Sequence, residues 1–226
     1  MAGENDIKKA VLFDLDGTLV DTADDLAAAM NYALGAAGLP PAPPAEVRHL
    51  VGFGARRMLL RGFELVSGKT PEDAALDEGL NVFLDYYAAN IAVHSRPFDG
   101  VVALIRELRD KGIATAICTN KREAMSRLLL DELGVSDLFD TVVGADTASA
   151  AKPDPAPVFL CMSRTGAQRA VFIGDSDTDI KAAKAAQTPC LVAEFGYGPL
   201  TMKSETFGRF SHYAEAGPLI EKAFLA

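Results

Sequence analysis

Two aspartates, Asp14 and Asp16, stand two positions apart at the end of a short apolar run, in the sequence AVLFDLDGT at residues 10–18. In an extended chain such residues point to the same side, about 6–7 Å apart. Two carboxylates at this separation can flank a reacting group, so that one attacks it and the other transfers protons. The alternative is that both acids only begin a turn, since Asp-Gly is a common turn sequence.

A second acidic group lies in the sequence GDSDTD at residues 174–179, which also follows an apolar run. Aspartate and threonine are favoured at helix N-termini, so helix capping explains this group as well as a metal site does. Placed opposite Asp14, however, Asp175 would complete a set of hard oxygen ligands that suits Mg²⁺. The cation would also offset the repulsion between Asp14 and Asp16.

Three further polar residues, Thr119, Asn120 and Lys152, occur in the sequences ICTN and AAKPDP. Thr119 and Asn120 precede a helical pattern and could be only its N-cap, but their side chains and nearby amides could also bind an anion at the helix start. A lone lysine is usually a solvated surface residue. At the same edge as the acids, Lys152 would supply the local cation that an acidic protein needs to bind a phosphate.

The elements that must position these residues are short apolar runs that alternate with helical patterns. The apolar runs of strand length lie at residues 10–13, 113–118, 141–145, 170–174 and 190–193. The clearest helical patterns lie at residues 100–112, 122–134 and 179–186. This alternation predicts an α/β fold with a parallel sheet covered on both faces by helices. Ligands bind beyond the carboxyl ends of such strands, so the polar residues are expected to converge at one edge.

Residues 21–96 interrupt the alternation with helical patterns and no convincing strand. They predict a helical insertion, so that residues 1–20 and 97–226 form an α/β core domain and residues 21–96 a second, smaller domain. Residues 199–226 carry no diagnostic pattern and are expected to form a final helix that packs on the core.

A glycine-rich stretch inside the insertion, VGFGARRML at residues 51–59, could let a loop approach a substrate. Arg56 or Arg57 could then bind a second anionic group of that substrate, such as a carboxylate. An ordinary glycine turn with surface arginines is the simpler explanation.

The composition is that of a globular protein with a sizeable core, since 49% of the 226 residues are hydrophobic and 23% are charged. The net charge of −9 disfavours nonspecific binding to nucleic acid or to anionic membranes. No apolar run approaches the roughly 18 residues of a membrane span, and no secretory signal is recognised. The three cysteines fit no metal motif and are expected to be buried free thiols. We therefore expect a cytoplasmic enzyme or regulator.

Taken in order, four of these stretches resemble the motifs of the haloacid dehalogenase (HAD) superfamily of phosphotransferases. They are DLDGT at residues 14–18, CTN at 118–120, KPDP at 152–155 and GDSDTD at 174–179. The resemblance implies a Rossmann-like α/β core with a parallel sheet. It also implies that residues 21–96 form a small α-helical cap domain over the active site.

The resemblance implies a role for each residue. Asp14 would be the nucleophile that forms an aspartyl-phosphate, and Asp16 would be the general acid and base. Residues that would hold the transferring phosphoryl group are Thr119, Asn120 and Lys152. Ligands of the Mg²⁺ cofactor would be Asp14, Asp16 through its backbone carbonyl, and Asp175, with Asp179 as a supporting acid.

Within the superfamily, the insertion and the sequence GYG at residues 196–198 resemble bacterial phosphoglycolate phosphatases. This implies a small phosphorylated metabolite as substrate, most simply 2-phosphoglycolate. A sugar-phosphate phosphatase, or a β-phosphoglucomutase-like phosphotransferase that shares Asp14, Asp16 and the cap, is an alternative. A phospho-receiver signalling domain, the non-enzymatic alternative, is much shorter and would not need the insertion. The protein is expected to act as a monomer or a homodimer.

Overall fold

The computed structural model describes residues 7–52, 54–197 and 200–226. Its strands are β1 (Lys9–Phe13), β2 (Val20–Asp21), β3 (Arg96–Pro97), β4 (Ala114–Cys118), β5 (Thr141–Val143), β6 (Arg169–Gly174), β7 (Cys190–Ala193) and β8 (Gly208–Phe210). Six of them form one parallel sheet in the order β5-β4-β1-β6-β7-β8.

Strand β1 lies at the centre of this sheet because its residues are apolar and can be covered on both faces. It pairs in parallel with β4 on one side and β6 on the other, so that Leu12 lies beside Ala116 and Phe172. Every residue from Ala10 to Phe13 is fully buried, as is typical of a parallel strand. Each of the five apolar runs in the sequence contributes a strand, so that prediction is confirmed.

Helices connect the strands and form the insertion. They are α1 (Ala23–Ala36), α2 (Pro44–Arg48), α3 (Ala55–Ser67), α4 (Asp73–Ala89), α5 (Val101–Asp110), α6 (Glu123–Glu132), α7 (Ala156–Thr165), α8 (Asp177–Ala185) and α9 (Ala216–Leu225). Within the described residues, no helix has both the length and the apolar character that crossing a membrane requires.

The side chains of β1 alternate between two hydrophobic cores, one on each face of the sheet, because successive residues of a strand point to opposite sides. Phe13 belongs to the core that includes Ile105 of α5. Leu12 belongs to the other core, which includes Val158 of α7 and Ile180 of α8. Packing against both cores fixes the position of β1, and therefore also the position at which the residues after Phe13 leave the sheet.

The insertion is helical, as its sequence predicts. Helices α1, α3 and α4 pack together, and buried residues at their interfaces include Met30, Leu59 and Phe83. A side chain at Gly62 of α3 would collide with Met30, since an added Cβ would lie 2.5 Å from its sulfur atom. The two helices therefore approach closely at this position.

A two-stranded antiparallel ribbon joins the insertion to the rest of the chain. In it, β2 and β3 pair Val20 with Pro97 and Asp21 with Arg96. The expectation of no strand within residues 21–96 was therefore wrong at its two ends, because a strand of two residues leaves no periodic pattern. The predicted boundaries at 20/21 and 96/97 fall inside this ribbon, and the division into two domains stays a prediction.

The last part of the chain contains more than the helix expected for residues 199–226. Helix α9 does pack on the core, and its residues Ile220 and Phe224 are buried there. Before it, however, β8 pairs with β7 and becomes the sixth strand of the sheet. This strand has the sequence GRF with Phe210 as its single buried apolar side chain, which is too short a run to be recognised.

Candidate active site

The carboxyl ends of β1 and β4 meet at one edge of the sheet, and a cavity of about 520 Å³ lies between this edge and the helices α3 and α4. Residues singled out from the sequence that line this cavity are Asp14, Asp16, Arg56, Arg57, Thr119, Asn120 and Lys152. The acidic residues that follow β6, Asp175 and Asp179, have carboxylate oxygens within 4.8 Å of one of Asp14. The structure thus brings the four motifs to one place.

Lys152 lies between two buried carboxylates. Its Nζ donates a hydrogen bond to Asp179 Oδ1 over 2.6 Å and lies 2.9 Å from Asp14 Oδ1, at ion-pair distance but without hydrogen-bond geometry. The Lys152 side chain is only 1% exposed. A buried lysine loses much hydration energy, so these two anions are what keeps it charged in this position.

Burial and mutual repulsion shift the pKa values of the acids. Burial raises the pKa of Asp14 from 3.8 to about 6, although Lys152 opposes this rise, and Asp179 adds to it. Burial also raises the pKa of Asp175 from 3.8 to about 8, with further contributions from Asp179 and Asp14. For Lys152, burial would lower the pKa, but the two carboxylates outweigh it and raise the pKa above its usual range. One lysine does not balance the negative charge of this cluster.

The donor set of the acidic cluster fits a divalent metal ion. Carboxylate oxygens of Asp14, Asp175 and Asp179 lie close enough to share one ion, and hard oxygen ligands of this kind suit Mg²⁺ and related cations. Asp179 is already engaged, because its Oδ2 accepts hydrogen bonds from the Ser176 hydroxyl and from the backbone N–H of Ser176 and Asp175. Asp14 and Asp175 therefore have the greater capacity to bind a cation.

Asp175 is held rigidly by its surroundings. Its Oδ1 accepts a hydrogen bond from the Thr18 hydroxyl over 3.0 Å, and its Oδ2 accepts one from the backbone N–H of Tyr197 over 2.9 Å. Gly196 passes so close that an added Cβ would lie 2.2 Å from Asp175 Cβ. The chain therefore needs glycine at position 196 to bring the loop after β7 against this carboxylate.

The GDSDTD stretch does cap a helix, as one of its two interpretations predicts, whereas the metal site stays a prediction. Ser176 is the N-cap of α8, and Ser176 and Asp179 form a capping box with reciprocal side-chain to backbone hydrogen bonds. The same Asp179 carboxylate binds Lys152 at its other oxygen. Capping the helix thus orients the acid that holds the lysine.

The pH dependence of stability follows from the raised pKa values. In metal-free protein, Asp14 and Asp175 bind protons more tightly when folded than when unfolded, so their contribution to stability is complete below pH 3.8. It is lost as the pH rises through about 6 and then about 8. We expect the melting temperature in EDTA to fall across this window, and Mg²⁺ to reverse the fall, because the ion requires ionised carboxylates.

Thermal unfolding from pH 5 to 9 with and without Mg²⁺ measures this effect. Asp175→Asn should flatten the upper part of the fall and weaken the stabilisation by Mg²⁺, whereas Asp110→Asn, at the end of α5, should change neither. A fall of unchanged steepness in Asp175→Asn would assign the titration to another group.

The Asp16 carboxylate is bound by two donors. Its Oδ1 accepts hydrogen bonds from the Thr22 hydroxyl over 2.7 Å and from Lys121 Nζ over 2.8 Å, and Lys121 also reaches Oδ2 over 3.1 Å. For Lys121, burial would lower the pKa, but the Asp16 carboxylate outweighs it and raises the pKa above its usual range. Sequence reasoning missed Lys121, although a lysine two positions after Thr119, in the same strand-end loop, was a usable signal.

Thr119 and Asn120 belong to the loop between β4 and α6, and neither caps that helix, because its N-cap residue is Arg122. Thr119 is buried, with only 2% of its surface exposed, and its backbone N–H donates to Val143 O over 3.0 Å. The Asn120 side-chain N–H₂ donates to Lys152 O over 3.0 Å, which ties this loop to the lysine. Among the described residues, the buried Asn120 Oδ1 has no hydrogen-bond partner.

Arg56 lies at the rim of the cavity near the start of α3. Its guanidinium donates to Asp77 of α4 over 2.8 Å and lies 3.5 Å from Asp73, and nearly half of its side chain is exposed. The preceding loop contains Gly52 and Gly54 with φ values of 96° and 86°, which favour glycine. Gly54 lies near the loop between β4 and α6, since an added Cβ would be 3.8 Å from Asn120 O.

Tyr197 of the GYG stretch connects the loop after β7 with the start of the insertion; Gly198 lies outside the described residues. The Tyr197 hydroxyl donates to Asp21 Oδ1 over 2.6 Å and accepts from the backbone N–H of Thr22 over 2.5 Å. This loop therefore contacts both the Asp175 carboxylate and the residues at which the chain enters the insertion, Asp21 and Thr22.

Residues 11–193 match the family model for haloacid dehalogenase-like hydrolases, so the chain belongs to this family. The assignment to the HAD superfamily and the prediction of a Rossmann-like α/β core with flanking helices are thereby confirmed. The protein is an enzyme, a phosphatase of the HAD type.

Several similar proteins are phosphoglycolate phosphatases by name. A phosphoglycolate phosphatase from Caulobacter vibrioides is 45% identical over 190 residues, which cover 83% of this chain and 79% of that protein. One from Xylella fastidiosa is 38% identical over 217 residues, which cover 92% of both. The crystal structure of a predicted phosphoglycolate phosphatase from Haemophilus somnus 129PT matches with a TM-score of 0.85 and 28% identity, covering 92% of this chain and 96% of that one.

Proposed function

We propose that this phosphatase depends on Mg²⁺ and hydrolyses a small phosphate monoester, most simply 2-phosphoglycolate, through an aspartyl-phosphate on Asp14. The observation that carries the proposal is the buried Asp14 carboxylate at the wall of the cavity, with Lys152 Nζ 2.9 Å away. A nucleophile beside a fixed cation suits attack on phosphorus, because phosphoryl transfer depends on positioning and on neutralising the oxygens.

In the first step, a carboxylate oxygen of Asp14 attacks phosphorus and the bond to the ester oxygen breaks. Lys152 offsets charge on the phosphoryl oxygens, and the Thr119 hydroxyl and the Asn120 amide hold the group in line. Asp16 gives a proton to the departing oxygen. Covalent attack divides the hydrolysis into two easier reactions.

In the second step, water attacks the phosphorus atom of the aspartyl-phosphate, and the bond between phosphorus and the Asp14 oxygen breaks. Asp16 accepts the proton of that water, so Asp14 returns to a carboxylate and inorganic phosphate leaves. Residues that would hold Mg²⁺ are Asp14, Asp175 and the backbone carbonyl of Asp16. When bound, the ion supplies positive charge that neutralises the phosphate oxygens.

The charges around the cavity support an anionic substrate. The chain carries a net charge of −9, yet cations line this cavity: Arg56, Arg57, Lys121, Arg122 and Lys152. The relatives named phosphoglycolate phosphatase support 2-phosphoglycolate, which has a carboxylate in addition to its phosphate. Arg56 at the rim, exchanging its contact with Asp77 for that carboxylate, would hold the far end of the substrate.

The substrate is tested by measuring phosphate release in the presence of Mg²⁺ from 2-phosphoglycolate, hexose phosphates, nucleotides and pyrophosphate. A clear preference for 2-phosphoglycolate supports the proposal. Equal activity on all esters would contradict 2-phosphoglycolate as the specific substrate but would leave the proposed phosphatase reaction intact. Isomerisation of a sugar phosphate faster than its hydrolysis would favour the mutase alternative.

Arg56→Ala is expected to raise KM for 2-phosphoglycolate by about 10-fold or more, because an arginine–carboxylate contact is charge-assisted. The kcat/KM for an ester without a carboxylate, such as 4-nitrophenyl phosphate, should change little. Arg61→Ala is the matched control, since Arg61 lies on the same helix but pairs with Glu64. An equal loss for both esters in Arg56→Ala would remove Arg56 from carboxylate binding.

The cytoplasmic location, the state as monomer or homodimer, and the absence of nucleic-acid and membrane partners stay predictions. None of them enters the mechanism.

A further inference from the structure

Lys121 is a buried cation in the candidate active site, and it has no role in the two proposed reaction steps. Its Nζ contacts both oxygens of Asp16, over 2.8 Å and 3.1 Å. The two side chains are 7% and 10% exposed, so little water separates the charges or screens them. This contact differs from a surface ion pair, in which two long side chains move freely.

The backbone of Lys121 is fixed on both sides. Its N–H donates to the Thr119 hydroxyl oxygen over 3.2 Å, and its carbonyl accepts a hydrogen bond from the Ala145 N–H over 3.0 Å. Gly144 makes this approach feasible, because a Cβ there would lie 2.7 Å from Lys121 O. The loop after β5 thus fixes the backbone position of Lys121 within the loop after β4.

The end of the lysine side chain is also confined. Its Nζ lies 4.6 Å from the ring centroid of Tyr87, a buried residue of α4. An aromatic face attracts a cation at this distance. Lys121 is therefore held between an aromatic ring of the insertion and the carboxylate of Asp16.

The two oxygens of Asp16 differ in their partners. Oδ1 accepts from both Thr22 and Lys121, whereas Oδ2 has the longer contact with Lys121. A carboxylate held at one oxygen by two donors cannot rotate freely about its side-chain bonds. Its second oxygen keeps acceptor capacity in a defined place, which is what a base that must meet one water molecule needs.

We propose that Lys121 is a positioning residue that orients the Asp16 carboxylate to take the proton of the attacking water. This inference rests on the proposed function. In the step concerned, the water oxygen bonds to phosphorus, the bond between phosphorus and Asp14 breaks, and the water proton passes to Asp16. Lys121 changes none of these bonds and acts only through Asp16.

The two half-reactions can be separated with 4-nitrophenyl phosphate, whose leaving group departs without a proton. Its first step therefore does not need Asp16 as an acid, whereas the second step still needs Asp16 as a base. In rapid-quench experiments with Mg²⁺, the fraction of enzyme carrying acid-stable, hydroxylamine-labile phosphate is measured together with the burst of 4-nitrophenolate. The variants Lys121→Met, Lys121→Gln, Lys121→Arg and the control Arg127→Met, each in the whole chain, are compared with the original protein.

We expect Lys121→Met to slow steady-state turnover by about 10²-fold, the lower end of the range for general-base catalysis. The phosphorylated fraction should rise toward one, with a burst near one equivalent of 4-nitrophenolate. Lys121→Arg should regain part of the rate. Arg127→Met, which removes a cation of α6 that pairs with Glu123 at the surface, should leave the phosphorylated fraction unchanged.

The inference is overturned if Lys121→Met keeps its turnover, or if turnover falls without accumulation of phosphoenzyme, as a merely structural role would produce. If Lys121→Met does not fold, Lys121→Gln is judged by the same two outcomes. Failure of the proposed function looks different, because the original protein would then form no phosphoenzyme at all.

Discussion

Asp14→Asn is expected to lower phosphate release by about 10⁴-fold or more, because an amide nitrogen is no nucleophile toward phosphorus. The fold should remain, since asparagine has the same shape as aspartate and Lys152 keeps its hydrogen bond to Asp179. In metal-free protein the melting temperature should stay the same or rise at neutral pH, because the substitution removes one charge from a cluster of buried acids. Phosphate release and thermal unfolding measure the two effects.

Asp99→Asn is the control for Asp14→Asn. Asp99 is exposed and lies two positions before α5, so its substitution should change neither activity nor stability. Residual activity of Asp14→Asn above a few per cent of the original rate, confirmed in a second preparation to exclude contamination, would remove Asp14 from the role of nucleophile.

Lys152→Met is expected to damage both activity and stability. It leaves Asp14 and Asp179 buried without their shared cation, which costs about 3–5 kcal/mol of unfolding free energy in comparable buried ion pairs. It also removes the charge that offsets the phosphoryl oxygens, so turnover should fall by about 10³-fold. Urea unfolding and phosphate release measure these losses, with Lys181→Met, an exposed lysine of α8, as the control.

The double variant Lys152→Met, Asp179→Asn separates the two losses. Removing the second charge relieves the repulsion, while the amide oxygen of asparagine can still accept the hydrogen bonds that Asp179 Oδ2 accepts from Ser176. We therefore expect the double variant to regain stability by about 1–2 kcal/mol over Lys152→Met, the size of a typical coupling between neighbouring residues. Turnover should stay low. Equal stability of the single and double variants would mean that the pair of charges is not what Lys152 stabilises.

Much of the core and of the candidate site could be predicted from the sequence because both depend on strand ends. A run such as AVLF shows where a parallel strand stops, and parallel strands stop at the same edge. Asp14, Thr119 and Asp175 could therefore be placed together without knowing the helices. The signal is local, since each residue lies within one position of the end of its own strand.

Features that depend on contacts between distant segments could not be predicted from the sequence. Lys121 gains its position from the Gly144 loop and from Tyr87, which are 23 and 34 residues away in the chain. Arg56 was considered as a ligand of the substrate, but its ion pair with Asp77 depends on how α3 packs against α4. The ribbon strands β2 and β3 are too short for periodicity, and β8 has only one buried apolar residue.

The ribbon formed by β2 and β3 brings the two ends of the insertion together. Residues Val20 and Pro97 are direct neighbours, so everything between them is a detour that starts and ends at the ribbon. A different segment, longer or shorter, could be grafted between these positions without stretching any strand. Asp14, Lys152 and Asp175, which lie outside the detour, would stay where they are. Under the proposed function, a segment that recognises one metabolite can therefore be exchanged for another while the residues proposed to break the phosphate bond keep their places.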